Sequence, residues 1–179
     1  MACPVFVKAQ ESPFADAVLW GRRRISWQHF DGYVHSTSRY LKEVGLKKGD
    51  RAAVLGVFSV EYAIIVWACW RVGIAVVLDG AFLDELGVRV VFKDDRVALP
   101  LKKKGVRIFD LKYSVAFESI DGFLGRDELI APQLSLDQPA VVTFKDGKVE
   151  GQSILDVLST TDITPEVMAV VEVLSNCKS

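Results

Sequence analysis

Apolar residues recur along this chain with two alternating periods. Phe30, Val34, Thr37, Leu41 and Val44 step by three and four residues, so they share one face of a helix. Ser26 ahead of them is a suitable N-cap, because its hydroxyl accepts from a free amide of the first turn. Gly45 supplies the left-handed residue that ends many helices. Upstream, Ala17–Trp20 and Arg24–Ser26 flank the polar Gly21-Arg22-Arg23 and predict a small β-hairpin. Downstream, the polar turn Lys47-Lys48-Gly49-Asp50 leads into Arg51–Val57, apolar on both faces like a parallel-sheet strand. Ser59 caps a second helix, Val60 to about Val72, closed by Gly73. From Ala63 to Trp70 it is apolar almost all round, so it should be buried on several sides. Ile74–Leu78 is the next strand, completing a βαβ crossover.

Beyond Asp79-Gly80 the elements shorten. Phe82–Leu86 reads as a helical turn, Val88–Phe92 as a strand, Val97–Lys104 as a short helix ended by Gly105, and Val106–Asp110 as a strand. Residues 113–138 are mixed and loop-like, with a helix near Val115–Phe123. Ala140–Phe144 reads as a strand, Lys145-Asp146-Gly147 as a tight turn, and Gly151–Ser159 as a helix. Near the end, Thr164-Pro165-Glu166 resembles a helix start, whereas the alternation of Val167, Ala169, Val171 and Val173 favours a strand over Met168–Leu174. Residues 175–179 read as a frayed tail. The pattern predicts a single α/β domain over residues 1–179, a three-layer fold with a mostly parallel sheet flanked by helices.

Composition narrows the function classes. The 179 residues include 22 basic and 23 acidic side chains, a net charge of −1, with no basic stripe, which argues against a nucleic-acid partner. Cys3, Cys69 and Cys177 lie far apart, there is no CxxC and there are only 2 histidines, so neither a disulfide framework nor a zinc site has support. His29 and His35 fall about 240° apart around the first helix and do not share a face. Cys69 reads as a small core residue, Asp94, Asp95 and Asp137 as turn carboxylates, and Lys102-Lys103-Lys104 as a solvated helix end. The longest apolar stretch, Tyr62–Trp70, is too short to span a bilayer. The N-terminal MACPVFVKAQ lacks a basic region followed by an apolar run, which argues against a signal peptide. These features place the chain in a reduced, cytoplasmic setting without a membrane partner. No Gly-x-Ser-x-Gly elbow supports a hydrolase, and no GxGxxG follows a strand.

Three stretches together go beyond a generic α/β pattern. The first is Trp20-Gly21-Arg22-Arg23-Arg24-Ile25-Ser26-Trp27 with the helix ending Val44-Gly45-Leu46. The second is Lys47-Lys48-Gly49-Asp50-Arg51-Ala52-Ala53-Val54-Leu55. The third runs from Glu61-Tyr62 through Trp67-Ala68 to Arg71-Val72-Gly73-Ile74-Ala75-Val76-Val77-Leu78. Their succession resembles the N-terminal part of the adenylate-forming superfamily, which includes acyl-CoA synthetases, luciferases and nonribosomal-peptide adenylation domains. Leu86–Phe92, Gly105–Asp110 and Leu136–Phe144 continue the likeness more weakly. The compact stretch between residues 80 and 140 is most similar to the short o-succinylbenzoate-CoA ligases of menaquinone biosynthesis.

The resemblance implies an AMP-forming acid–thiol ligase: a carboxylate and ATP give an acyl-adenylate, which then becomes a CoA thioester. ATP or AMP, Mg and CoA are the cofactors it implies. The family holds the phosphates with a Ser/Thr/Gly-rich loop ending in Pro-Lys-Gly, right after the strand assigned here to Ala140–Phe144. Here that place reads Lys145-Asp146-Gly147-Lys148-Val149-Glu150-Gly151. With Gly151 matched to the last glycine, Glu150 stands where the lysine belongs. Lys145, Gly147, Lys148 and Gly151 are thus the candidate cofactor-binding residues of a remnant phosphate loop, and a solvated turn is the simpler reading. No catalytic residue and no metal ligand is transferred. The family's adenine, ribose and metal motifs and its mobile C-terminal lysine have no counterpart, which predicts a truncated member that does not catalyse alone. The alternative is a non-catalytic binding or regulatory module, forming a homodimer or pairing with the missing ligase half or a full-length ligase. A third reading, an unrelated α/β enzyme, requires a polar-lined pocket at the C-terminal ends of the strands.

Overall fold

In the computed structural model, residues 1–20, 23–57, 59–99, 105–113 and 131–159 are described. Helix α1 (Pro4–Glu11) precedes a hairpin of β1 (Asp16–Trp20) and β2 (Arg23–Ser26), and α2 (Trp27–Glu43) follows directly. Then come β3 (Arg51–Leu55), α3 (Val60–Val72), β4 (Ala75–Val77), β5 (Val90–Lys93) and β6 (Arg107–Asp110). The last elements are β7 (Pro139–Lys145), β8 (Lys148–Ser153) and α4 (Ile154–Ser159). The main sheet has the order β6-β5-β3-β4-β7-β8. All neighbouring pairs are parallel except β7 and β8, which form an antiparallel hairpin. The result is the expected α/β fold with a mostly parallel sheet.

Local chemistry explains the helix boundaries. Ser26 Oγ accepts from the His29 amide, and Ser59 Oγ accepts from the Tyr62 amide at 3.1 Å. Gly73 ends α3 at φ 86; a side chain there would also run into Lys48, with a Cβ 2.8 Å from its Cγ. Phe30, Val34, Thr37 and Leu41 are buried along one face of α2; every residue of α3 is buried except Glu61 and Arg71, and the Arg71 side chain itself is only 3% exposed. Inside this layer Arg71 and Asp31 form a buried ion pair, and Arg71 Nε donates to Cys3 Sγ at 3.3 Å. Cys69 is buried among apolar groups, which pushes its thiol up to about 12.

One core joins the helices to one face of the sheet, through Phe30, Trp67, Trp70, Val54 and Val76. A second lies on the opposite face, where Ala53, Val77, Val91 and Val142 meet Leu83, Leu86 and Val88 of the connection after β4. The sequence-based reading needs correction at several places. Helix α1 has no predicted counterpart. The strand predicted to Val57 stops at Leu55; Gly56 follows at φ 149, where a Cβ would lie 2.9 Å from that of Asp94. Residues 97–99 are not helical; the rest of the helix predicted over Val97–Lys104 lies outside the described residues. The helix predicted over Gly151–Ser159 begins only at Ile154, and Gly151 lies in β8. Ser153 Oγ accepts from the Asp156 amide at 3.1 Å, while Asp156 Oδ2 accepts from the Ser153 amide at 2.9 Å. This reciprocal cap fixes the helix start. The helix near Val115–Phe123, the strand at Met168–Leu174 and the tail at 175–179 lie outside the described residues.

Candidate active-site edge

Strand order determines where a ligand site can form. The connection from β3 runs through α3 on the helix-bearing face, whereas the connection from β4 crosses the opposite face to reach β5. Two adjacent parallel strands whose connections leave on opposite sides open a crevice at their carboxyl ends. A cleft of about 410 Å³ lies there, formed by residues that follow β3, β4 and β5. Leu55, Val57, Leu78 and Val97 supply apolar lining, and Asp79, Asp94 and Arg96 supply the charges.

The polar groups of this cleft are largely engaged by local structure. Asp79 Oδ1 accepts from the Ala81 amide at 2.9 Å. Arg96 donates from Nε and Nη2 to the two oxygens of Asp94, each at 3.1 Å, and its amide donates to Asp94 Oδ1 as well. These bonds favour the ionised form and hold the Asp94 carboxyl down at about 2. Two carboxylates against one guanidinium leave the lining net acidic. A triphosphate finds no excess of cations there.

The β7–β8 hairpin projects from the same edge. Val76 of β4 pairs in parallel with Val141 of β7, so the end of β7 lies beside the segment that follows β4. The rings of Phe82 and Phe144 meet at 5.0 Å and confirm that placement. The four candidate cofactor residues fall on this one hairpin. Lys145 and Lys148 are directly opposed across the turn, Gly147 is a turn residue, and Gly151 faces Val142. All four are exposed. Asp146 and Gly147 both take positive φ, 50° and 76°, as a two-residue type I′ hairpin turn requires. Glu150 sits opposite Thr143. The Lys-Asp-Gly-Lys segment is therefore a tight strand-to-strand turn, as its sequence suggested. It is too short to wrap a phosphate chain with backbone amides, and it presents Asp146 at its tip. These residues do not fit a triphosphate with its metal. Among the described residues, no three His, Cys, Asp or Glu side chains cluster to hold a metal ion.

Comparison with known proteins sets this geometry in a family. The sequence profile described as AMP-binding enzyme matches residues 5–158. The chain belongs to that family. The reading as an unrelated α/β enzyme is set aside by this match, although the pocket it required is present. No curated protein matches the chain significantly. Among solved structures, the chain is similar to o-succinylbenzoate CoA synthetase (MenE) from Bacillus subtilis bound with its product analogue OSB-NCoA. That match has 17% identity and a TM-score of 0.69, and covers 89% of this chain and 36% of the other. The same synthetase in complex with AMP matches at 18% identity and a TM-score of 0.67, over 89% of this chain and 45% of the other. The N-terminal subdomain of Klebsiella oxytoca NpsA matches at 20% identity and a TM-score of 0.68, over 88% and 42%. At these identities the likeness establishes the fold. The chain spans less than half the length of the matched chain in each of these three structures.

The cleft escaped the sequence reading. Leu55, Leu78 and Val97 are far apart in sequence and each looks like an ordinary strand end or connector. Only the strand order brings them together. The reading of Asp94 as a turn carboxylate agrees with its Asx-type bond from the Arg96 amide, and Asp79 accepts from the Ala81 amide in the same way.

Proposed function

We propose that this chain supplies the N-terminal scaffold of an AMP-forming acyl-CoA ligase and does not itself form acyl-adenylates. The observation that supports this reading is the β7–β8 turn. In the resemblance, the phosphate-holding loop follows the strand that is β7 here, and two residues at positive φ take its place. Adenylation develops charge on the phosphates as pyrophosphate leaves, and oriented amides, a cation and a metal must meet that charge. The cations of the turn itself are Lys145 and Lys148, both solvent-exposed, with Glu150 on the same strand as Lys148. Loss of one oriented donor costs on the order of 10²–10³ in rate, and here a whole loop is replaced. The substrate class carried by the reading is an aromatic or aliphatic carboxylic acid; the o-succinylbenzoate assignment draws support from the fold-level match to MenE.

Calorimetric titration with ATP and AMP, with and without Mg, tests the nucleotide arm. The expected result is weak binding that fades as salt is raised, since exposed charges are screened. Tight, Mg-dependent ATP binding that survives in 0.5 M salt, a level on the order of full screening, would overturn it.

A further inference from the structure

The outer edge of β8 carries a pattern that the scaffold does not use. Among the described residues β8 is the last strand of the sheet, paired only with β7. Lys145 and Lys148 close a two-residue turn, so they form the hydrogen-bonded pair, and the pairing alternates from there. Val149, opposite Phe144, and Gly151, opposite Val142, therefore direct their backbone amides and carbonyls away from β7. Strand periodicity also sorts the side chains. Val149 lies on the face of Phe144, whose ring packs against Phe82 at 5.0 Å, and Val149 is 44% exposed. Lys148 and Glu150 lie on the opposite face, and both are exposed.

We propose that β8 pairs antiparallel with β8 of a second copy of this chain, about a two-fold axis through Val149. In that register Val149 meets its own symmetry mate as a hydrogen-bonded pair. On either side of it, Lys148 of each copy faces Glu150 of the other as a non-hydrogen-bonded pair, the closer of the two spacings. Both faces of the joint sheet are then complementary. One carries two Lys–Glu pairs; on the other, Phe82, Phe144 and Val149 of the two copies form a continuous apolar stripe. Moving the axis to Lys148 or Glu150 sets like charges against each other and uses backbone groups already turned toward β7. Charges on an edge strand ordinarily block indiscriminate pairing. Their order here opposes the registers centred on Lys148 and Glu150 and favours the one centred on Val149. The interface is isologous, as a two-fold dimer requires.

The test is sedimentation equilibrium on the 179-residue chain over a concentration series, with circular dichroism to confirm that each variant is folded. The wild type is expected to dimerise reversibly. Lys148→Glu alone and Glu150→Lys alone each convert both attractive pairs to repulsive ones, and should weaken the dimer roughly tenfold. The double exchange Lys148→Glu/Glu150→Lys should restore wild-type association. A wild type that stays monomeric at the highest concentration overturns the proposal. So does a dimer indifferent to the single reversals, or a double exchange that fails to restore it. None of these outcomes bears on the adenylation reading, which is tested with nucleotide.

Discussion

Helix α3 and the β7–β8 hairpin both border the short strand β4, and they are built on opposite rules. Every α3 residue except Glu61 and Arg71 is buried, and Trp67 and Trp70 meet edge to face at 5.1 Å. Trp70 Nε1 donates to the Ala140 carbonyl at 3.0 Å, which ties the helix to β7. The hairpin tip, from Lys145 to Glu150, is exposed throughout. Burial fixes a fold, whereas chemistry on phosphates is done by groups at the carboxyl edge. The chain keeps the family's fold on the buried side and presents a plain turn where the resemblance requires a phosphate cradle. On the reading proposed above, membership of the family and catalysis of its reaction come apart in one molecule.

The contrast is sharpest under core truncation. Trp67 is fully buried, so Trp67→Ala should cost about 3–5 kcal/mol, enough to unfold a marginal domain, as read by denaturant melts. Unchanged stability would place α3 outside the core. Next is Arg71→Ala. It strands Asp31, whose side chain is 8% exposed, as an uncompensated buried charge. The expected loss is about 3 kcal/mol or more, and Arg71→Ala/Asp31→Ala should lose less than the two single changes added together. At the hairpin the same kind of change should matter less. Gly147→Ala meets no neighbour within 4 Å but forces φ 76 on a residue with a Cβ, a cost of about 1–2 kcal/mol.

The smallest effect is electrostatic, at the cleft. In the folded chain Arg96 lowers the Asp94 pKa to about 2, below the unfolded value of about 3.9. The ionised carboxylate is therefore favoured by folding. Its contribution is complete above the unfolded pKa and disappears as pH falls through the folded one. Arg96→Ala should move the Asp94 titration, followed by carboxyl NMR shifts, back toward pH 4; it should lower stability at pH 7 only slightly, because the pair is screened by solvent, and that small loss should vanish in acid. A titration still centred near 2 in that variant would assign the shift to another group.

Much of this fold was legible because its signals are local. Ser59, the apolar run and Gly73 delimit α3 without reference to anything else, and Asp146-Gly147 names its own turn. What was missed depends on distant partners. Helix α1 buries only Val5 and Ala9, and its start is tied down by the Cys3 amide donating to the Pro132 carbonyl at 2.8 Å. Strand β8 is almost wholly exposed, so no burial pattern marks it, and its pairing with β7 makes it a strand. The Ser153–Asp156 cap was present in the sequence as a serine with a carboxylate three residues on, but glycine and polar residues ahead of it blurred the boundary. At the candidate site, the turn was legible and the cleft was not, because a cleft at a change of strand order belongs to no single segment.

The measurement that bears most directly on the central claim is ATP–pyrophosphate exchange by the 179-residue chain, over a panel of aromatic and aliphatic acids that includes o-succinylbenzoate. The account predicts exchange no greater than in the protein-free control for every acid. Exchange that persists through purification and is abolished by Lys148→Ala would contradict it, and would make the β7–β8 turn a working phosphate grip.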